Sequence, residues 1–399
     1  MLTHVKILFI TSRFPYPPFR GDKIRVFNLI KELSRDHEIV LATFADPDDG
    51  QYYADLREYV TRIEAVRLNK TRAYLNCLIH PFSKTPLQVF YYRSAEMSKT
   101  VARLVEEEKP DAIHCHLIRM APYAVAYPKI PKVLDICDSM TLNYDRFLTF
   151  RRDVIAPLYK FEKSRTAAYE TTIPALFDMN TVVSTHDRDF IADLNSEAPL
   201  AILPMGVEFD YFKPTEYALE ANRVAFMGTM SYFPNIDGVK WFTRDILPIV
   251  QRTLPETEFC VVGSNPVPEI LKLEDDKSVT VTGFVDDVRP FVGPAAVFVC
   301  PIRAATGFNT KVIEAMAMGL PVVATPSACE GIDVTDGVNI MLADQPMDFA
   351  EAVITLLRDE PTRQAIAAAG RELVLEKYSW ITAGNILRQV YKDIGGNRL

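Results

Sequence analysis

The residues best suited to chemistry lie between Thr306 and Glu314, directly after an apolar run at 295–301 that predicts a buried strand. Thr306-Gly307 predicts a loop, and the sequence favours a helix from Asn309 onward. A helix that begins beyond a strand's carboxyl end presents free N–H groups and the positive end of its dipole, which suits a phosphate. Glu314, about one turn into this helix, could accept hydrogen bonds from two adjacent ribose hydroxyls. Together these features suit a nucleotide-sugar, although Glu314 could also be a solvated helix residue.

The elements around this helix must hold Glu314 in place. Gly319 stands where a C′ glycine ends a helix, and Pro321 begins the apolar strand PVVAT. The order is therefore strand, loop, short helix, glycine stop and strand. Such an order is typical of a parallel sheet with helices on its faces.

The beginning of the chain has the same order. An apolar strand at 5–12 leads into a proline-rich loop that contains Gly21, and Asp22 is suited to cap the helix that follows. A further strand is predicted at 38–45. Gly21 therefore lies at the carboxyl end of a strand, where doubly wound sheets bind ligands. A plain turn before the helix is the alternative explanation of this glycine.

Two histidines share one face of a predicted strand at 112–117. His114 and His116 are two residues apart, so their side chains point to the same side while Cys115 points to the other. No cluster of Cys or His elsewhere in the sequence completes a metal site, so we expect no metal ion. A second strand, at 132–139, ends in Asp138 and Ser139, either of which could cap the long helix predicted to follow.

Composition indicates a soluble globular protein of two domains. The chain has 399 residues, of which 48% are hydrophobic and 24% charged, and its net charge of −8 argues against general nucleic-acid binding. Residues 1–200 carry a net charge of +1, so the acidic excess lies in the second half. The apolar runs are too short for a membrane span or a signal peptide. Six cysteines without disulfide-like spacing predict reduced thiols and a cytoplasmic location.

Residues 62–103 form the most basic segment. Eight Lys and Arg face two Glu there, with apolar and aromatic residues interleaved. This composition suits a peripheral membrane contact or the docking of an anionic, lipid-linked acceptor. The expected place of such a contact is the inner face of the cytoplasmic membrane. A solvated basic face over an ordinary core helix is the alternative.

Two stretches resemble a known family. EAMAMGLPVVAT, which begins at Glu314, resembles the donor-site segment of glycosyltransferase family 4, also described as group 1 glycosyl transferases, and GVEFDYFKP at 206–214 resembles the segment that ends the family's first domain. The resemblance implies an α/β GT-B fold of two Rossmann-like domains facing across a cleft. It implies an acceptor-binding domain at 1–212, a nucleotide-sugar donor domain at 213–378, and a final helix at 379–399 that packs back on the first domain.

The resemblance also implies which residues bind the donor. Glu314 matches the second Glu of the family's E-x7-E pattern, and Thr306 replaces the first, which contacts the donor sugar in the family. The usual Arg and Lys after the glycine of the second domain's first loop are missing beyond Gly228. The implied donor-binding residues are Gly21, Gly228, Gly283, Phe284, Thr306, Gly307, Phe308, Asn309 and Glu314.

Catalytic candidates follow from the same match. His116 corresponds to a family histidine that contacts the donor sugar, and Asp138 lies where the family places polar residues near the reacting sugar. Arg303 and Lys311 are the expected substitutes for the missing cations at the departing diphosphate. No carboxylate pair of the glycosidase kind is evident.

The predicted activity is a retaining, hexosyltransferase-type transfer from a nucleotide-diphosphate sugar to a glycan or lipid-linked acceptor. Exopolysaccharide or cell-surface glycan synthesis is the expected setting, and no cofactor is expected beyond the donor substrate. Two alternatives remain: a nucleotide-sugar 2-epimerase of the same fold, and a non-catalytic donor-binding subunit. Turnover without an acceptor would indicate the first, and donor binding without any turnover would indicate the second.

Overall fold

Two parallel sheets, each flanked by helices, organise the chain. The computed structural model describes residues 4–150, 155–214, 216–303 and 307–396. The first compact unit runs to Gly206 and resumes at Trp380, and the second extends from Val207 to Ser379. Each unit has its own sheet and its own buried core.

The first unit is built on a seven-stranded sheet in the order β3-β2-β1-β4-β5-β6-β7. The strands are β1 (Lys6–Thr11), β2 (Glu38–Ala45), β3 (Arg62–Arg67), β4 (Ala112–His116), β5 (Lys132–Cys137), β6 (Met179–Val182) and β7 (Leu200–Ile202). All of the pairings are parallel. The central strands are apolar runs because helices bury both faces of a parallel sheet. The strand order reverses between β1 and β4, which is where such sheets open a ligand crevice.

Nine α-helices accompany this sheet within the described part of the chain up to residue 206. They are α1 (Gly21–Leu33), α2 (Tyr53–Leu56), α3 (Lys70–Leu78), α4 (Leu87–Tyr91), α5 (Ala95–Glu108), α6 (Ala121–Val125), α7 (Met140–Phe150), α8 (Ala156–Thr172) and α9 (Thr185–Leu194). Sequence signals explain α5 well. The Ser94 hydroxyl accepts a hydrogen bond from the backbone N–H of Met97 at its start, and Lys109 ends it in a left-handed conformation. Met97, Val101 and Leu104 form its buried stripe.

The second unit repeats the design with six strands in the order β10-β9-β8-β11-β12-β13. The strands are β8 (Glu220–Met227), β9 (Glu258–Val262), β10 (Val279–Val281), β11 (Ala295–Cys300), β12 (Val322–Ala324) and β13 (Met341–Leu342). The helices are α10 (Phe233–Trp241), α11 (Leu247–Thr253), α12 (Pro268–Leu271), α13 (Arg289–Val292), α14 (Thr310–Ala317), α15 (Pro346–Arg358) and α16 (Glu360–Lys377). The order reverses here between β8 and β11, so the predicted pair of doubly wound sheets is confirmed.

Helix α14 has the predicted end. Gly319 is left-handed with φ +76°, and its N–H donates to the Met316 carbonyl at 2.9 Å. The N–H of Leu320 donates to the Ala315 carbonyl at 3.1 Å. These two bonds are a Schellman motif, which requires a residue that tolerates positive φ at the C′ position.

The last helix, α17 (Trp380–Gly396), belongs to the first unit. The Tyr391 hydroxyl and His114 Nδ1 are 2.9 Å apart, and Arg388 donates to the Glu32 carbonyl of α1. The sequence analysis placed boundaries at 212/213 and 378/379, and the fold divides at 206/207 and 379/380. No helix within the described ranges is long and apolar enough to span a bilayer.

Candidate functional site

The N-terminus of α14 lies just beyond the carboxyl end of β11, as the sequence predicted. Asn309 occupies the N-cap position but does not cap the helix, because its side chain donates to the Ala328 carbonyl at 3.0 Å. Gly307 precedes it with φ +74°, and the Phe308 ring packs against Tyr378, with centroids 5.9 Å apart. The first turn of α14 therefore has no side-chain cap and can receive an anion. Thr306 lies outside the described residues.

Glu314 is half-buried on this helix. Burial raises the pKa of its carboxyl to about 7, while the hydrogen bond with Thr310 and the charge of Lys311 act in the opposite direction. A carboxylate at this depth gains from hydroxyl donors because they stabilise its ionised form. The position therefore suits the diol-binding role that its spacing suggested.

Lys311 projects from the same helix toward the end of β8. Its Nζ donates to Asn235 Oδ1 at 2.6 Å and lies 4.7 Å from the centre of the Phe226 ring. A Cβ at Gly228 would come within 2.9 Å of this ammonium and 2.7 Å of Asn235 Nδ2, so a side chain there would collide with both groups. Lys311 thus brings a positive charge to the first loop of the second unit, where the sequence lacks the usual Arg and Lys.

Lys311 has no carboxylate partner within ion-pair distance in the described part of the chain. Burial lowers the pKa of its ammonium, opposed by Cys300 and Glu314. The amide of Asn235 accepts a hydrogen bond without supplying a negative charge. An anionic ligand would therefore be stabilised at this position.

Arg303, the second predicted cation, has a different environment. Its guanidinium donates to both oxygens of Asp237 at 2.8–3.1 Å and lies 5.0 Å from the ring centre of Trp241. Asp237 thus offsets the charge that the sequence analysis assigned to the diphosphate. The sequence contains both residues but does not show that they pair across 66 positions.

The loop after β10 presents an open face. Gly283 has φ +68°, and a Cβ added there would meet nothing within 4 Å. Phe284 follows it with 73% of its surface exposed. An exposed aromatic ring beside a bare backbone is suited to stack on a flat base. The donor-binding roles that the family resemblance implies for Gly283 and Phe284 stay predictions.

Gly21 is the first residue of α1 rather than part of a loop, and Asp22 is not its cap. Arg20 occupies the N-cap position in an extended conformation without a side-chain hydrogen bond, and the Asp22 carboxylate accepts from the Arg13 guanidinium instead. A Cβ at Gly21 would meet no atom within 4 Å. The fold therefore does not itself require glycine here, and its role toward a phosphate stays a prediction.

His116 ends β4 inside a buried polar cluster. Its Nδ1 lies 2.8 Å from Asp135 Oδ2, and Arg25 donates to both Asp135 oxygens at 2.8 Å. Thr181 donates its hydroxyl to Asp135 at 2.8 Å, so four donors surround this carboxylate. Burial raises the pKa of Asp135, but Arg25 and His116 outweigh it and hold the pKa well below its usual range. His116 Nε2 is buried without a partner in the described structure.

The sequence analysis missed Asp135 and Arg25. The signal was present, because Asp135 is a charged residue in the middle of the apolar strand KVLDIC, where only a paired carboxylate is tolerated. Arg25 gave no such signal, because an arginine in an amphipathic helix is ordinarily expected on the exposed face. His114, by contrast, stacks on Phe9 with ring centroids 4.4 Å apart, and burial lowers its pKa to about 3.

Asp138 follows β5 and accepts a hydrogen bond from Asn143, while burial raises its pKa. Ser139, the alternative cap, accepts from the backbone N–H of Leu142 at 3.3 Å and so caps α7. Leu117 and Cys137 stand next to His116 and Asp138 with φ of 72° and 71°. Non-glycine residues are strained in this region, and such strain concentrates at functional sites.

The predicted basic segment at 62–103 is not uniform. Arg62 pairs with Glu64, Glu107 and Glu108, and Arg103 pairs with Glu64, so both ends of the segment belong to an ion-paired surface. The exposed apolar side chains lie in its middle, on α3 and the loop after it. Within the described ranges, no group of three His, Cys, Asp or Glu is arranged to hold a metal ion.

Two doubly wound parallel sheets, each with ligand-binding features at its switch point, define the GT-B class of glycosyltransferases. The crystal structure of HepE from Anabaena in complex with UDP matches 97% of this chain and 100% of its own with a TM-score of 0.67. The sequences are 14% identical, so this match shows the fold alone.

The chain belongs to glycosyltransferase family 4. Residues 20–211 match the model described as Glycosyltransferase Family 4, and residues 221–359 match Glycosyl transferases group 1. An uncharacterized 44.6 kDa protein in the cps region of Klebsiella pneumoniae is 21% identical over 97% of this chain and 99% of its own. A GDP-mannose-dependent alpha-(1-6)-phosphatidylinositol monomannoside mannosyltransferase of Mycolicibacterium smegmatis is 28% identical over 53% of this chain and 62% of its own. The family confirms the predicted enzyme class, a glycosyltransferase.

Proposed function

We propose that this glycosyltransferase moves a hexosyl group from a nucleotide-diphosphate sugar to a glycan or lipid-linked acceptor with retention of anomeric configuration. The setting we propose is the synthesis of exopolysaccharide or another cell-surface glycan. The observation that carries the proposal is that Glu314 and Lys311 lie on the same short helix, whose first turn has no side-chain cap. The Glu314 carboxylate suits the ribose diol of a nucleoside diphosphate. Lys311, which has no carboxylate partner among the described residues, suits its diphosphate.

The roles follow from charge. Lys311 and the first N–H groups of α14 would stabilise the departing diphosphate, a task that preorganised cations and dipoles perform without a metal ion. Arg303 would assist only at the expense of its bonds to Asp237, so we assign it a supporting role. Gly228, Gly283 and Phe284 are proposed donor contacts.

His116 and Asp138 are the residues of the first unit that we propose to contact substrate. His116 Nδ1 is engaged by Asp135, so its Nε2 is the atom available to a sugar hydroxyl. The relatives agree with the general chemistry. HepE was crystallised with UDP, the mycobacterial relative depends on GDP-mannose, and the Klebsiella relative is encoded in a cps region.

We also propose that the enzyme works in the cytoplasm at the inner face of the cytoplasmic membrane. Apolar side chains exposed on α3 and in the loop after it support this placement, since soluble surfaces rarely keep such patches without a partner.

Calorimetric titration with UDP, GDP, ADP and their sugar conjugates tests the donor site. We expect one nucleotide to bind. Glu314→Ala should lower the affinity for this nucleotide by about tenfold or more, because charge-assisted hydrogen bonds contribute about 1.5–3 kcal/mol. Glu351→Ala, which removes an exposed carboxylate from α15 of the same unit, is the matched control and should bind normally.

Three outcomes would contradict the proposal. Unchanged affinity in a folded Glu314→Ala variant would remove Glu314 from the site. Turnover of the bound nucleotide-sugar without any acceptor would identify the epimerase alternative. Donor binding without transfer to any glycan or lipid-linked acceptor would identify a non-catalytic subunit.

A further inference from the structure

Arg119 is a cation of the first unit that forms no ion pair within the described residues. It lies in the 3₁₀ turn Ile118–Met120 after β4, and its Nε donates to the Ser12 hydroxyl at 3.2 Å. Its guanidinium lies 5.2 Å from the centre of the Tyr92 ring. Within the described residues it forms no ion pair and no other side-chain hydrogen bond. Arg119 as a whole is half-buried.

The position of Arg119 favours an anionic ligand. Ser12 follows β1 and Arg119 follows β4, the two strands between which the strand order reverses. Burial lowers the pKa of the Arg119 guanidinium, and the charge of Arg13 acts in the same direction, while Tyr92, Asp22 and Asp138 act in the opposite direction without reversing the shift. The Asp22 carboxylate is already engaged by Arg13. A bound anion would therefore supply the direct ion-pair partner that Arg119 lacks among the described residues.

A row of tyrosines leads from Arg119 to the surface. The Tyr92 and Tyr91 ring centres are 5.2 Å apart, and those of Tyr91 and Tyr74 are 5.4 Å apart. Tyr92 is buried, Tyr91 is half-buried and Tyr74 is 62% exposed. The row thus connects the guanidinium to the outer face of α3 through continuous aromatic contacts.

The outer face of α3 is apolar. Helical spacing places Tyr74, Leu75, Leu78 and Ile79 on one side, and between 54% and 74% of each is exposed. Phe82, in the loop that follows, is 90% exposed. Arg165 fixes this loop by donating to the carbonyls of His80, Pro81 and Thr85.

The charged residues in the sequence on either side of this face are all positive. Residues 65–95 contain five Lys and Arg and no Asp or Glu. An apolar, exposed surface surrounded by cations is complementary to an anionic amphiphile. A soluble sugar phosphate would leave the apolar face in water, and a neutral lipid would leave Arg119 without a counter-charge.

We propose that Arg119 binds the phosphate of a lipid-linked acceptor whose hydrocarbon chain lies on the outer face of α3, with Tyr91 and Tyr92 between the two. This inference rests on the proposed function, since it names the chemical class of that reaction's acceptor. It extends the site to a surface that the donor residues do not include.

The test compares farnesyl phosphate with farnesol, two probes that share a chain and differ in the phosphate, each in the same neutral detergent. Calorimetry on the full chain should show that the wild type binds the phosphate about tenfold more tightly or better, as expected for charge-assisted hydrogen bonds. Arg119→Gln should abolish this preference. Arg188→Gln, which removes an exposed arginine of α9 paired with its neighbour Asp189, should retain it.

Two further variants protect the test against misfolding. Arg119→Lys keeps the charge but loses the planar fork and should retain part of the preference. Leu78→Asp changes a side chain that is 74% exposed, so the fold should persist. The affinities for farnesyl phosphate and for farnesol should both fall, to a similar extent. Circular dichroism of every variant identifies any that fail to fold.

Equal binding of the two probes by the wild type, or a retained phosphate preference in folded Arg119→Gln, would overturn the inference. Titration of the same protein with UDP and GDP separates this failure from that of the proposed function. Nucleotide binding without a phosphate preference would overturn the lipid-phosphate site alone. A phosphate preference without nucleotide binding would overturn the donor assignment and leave Arg119 in its site.

Discussion

Arg25 and Lys311 are cations near the carboxyl ends of parallel strands, one in each unit, but Arg25 is buried, Lys311 is half-buried, and their partners differ. Arg25 is fully buried, with bidentate bonds to Asp135 and a 3.0 Å bond to the Leu203 carbonyl. Burial alone would lower the pKa of Arg25, but the charge of Asp135 raises it above its ordinary value. Among the described residues Lys311 contacts the Asn235 amide and the Phe226 ring but forms no ion pair with a carboxylate, and burial lowers its pKa.

The difference separates a structural cation from one suited to a ligand. A buried charge costs several kcal/mol unless it is paired, and Arg25 is paired within the fold. The charge of Lys311 remains uncompensated until an anion arrives. A nucleoside diphosphate would therefore gain from Lys311, whereas no ligand is needed to stabilise Arg25.

Removing the structural cation should have the largest effect on stability. Arg25→Met removes the arginine that pairs with the buried Asp135 carboxylate, leaving it with His116 and Thr181, and should lower the free energy of unfolding by about 3–5 kcal/mol. Urea denaturation measures this loss. The double variant Arg25→Met/Asp135→Leu removes both charges and should recover much of it. A single variant as stable as the wild type would show that the two cations do not differ in this way.

Removing Lys311, the proposed ligand-binding cation, should affect nucleotide binding instead. Lys311→Met should lower the affinity for a nucleoside diphosphate by about tenfold or more, because charge-assisted hydrogen bonds contribute about 1.5–3 kcal/mol. Binding of the corresponding nucleoside should stay unchanged, and stability should not fall. Calorimetry with both ligands measures the contrast, and exposed Lys272→Met is the control. Equal losses for the two ligands would indicate a general disturbance of the site.

If Glu314 binds the ribose diol as proposed, nucleotide binding should depend on pH. Its pKa is raised to about 7 in the free protein, so below pH 7 the site holds a proton that diol binding must release. Affinity should therefore fall as pH drops through 7, by up to about tenfold per unit. Titrations across this range in buffers of different ionisation enthalpy measure the released proton. Glu314→Gln should show no such slope, and a slope that persists would place the titrating group elsewhere.

The pair of Arg303 and Asp237 should give the smallest effect. The Arg303 side chain is 38% exposed and that of Asp237 is 23% exposed, so Asp237→Asn should change the free energy of unfolding by no more than about 1 kcal/mol. The variant also frees Arg303, and nucleotide affinity should stay constant or rise slightly. A large loss of affinity in calorimetry would mean that Arg303 needs Asp237 to contact the donor.

Much of the fold was predictable because its signals are local. The apolar run of β11, the helix-friendly stretch of α14 and the glycine at 319 each depend on neighbours within a few residues. The alternation of strands and helices then implied two doubly wound sheets. The start of α1 was predicted less well, because Arg20 occupies the N-cap position and Asp22 is drawn to Arg13.

The candidate site was predictable where the chain itself brings its parts together. Glu314 and Lys311 are neighbours on one helix, so their common location followed from spacing. The pairing of Arg303 with Asp237 joins residues 66 positions apart, and that of Arg25 with Asp135 joins residues 110 positions apart. Sequence alone does not show which distant charges meet.

The sequence by itself determined the two-sheet architecture, the family and the helix that carries Glu314, because periodicity, glycine stops and short motifs are local properties. Only the tertiary structure decided which cations keep an uncompensated charge. Arg25 and Arg303 form ion pairs with carboxylates across the fold, whereas in the part of the chain that the structure describes Lys311 and Arg119 form none. The physical reason is that the electrostatic energy of a buried charge depends on its neighbours in space, and the folded chain selects those neighbours.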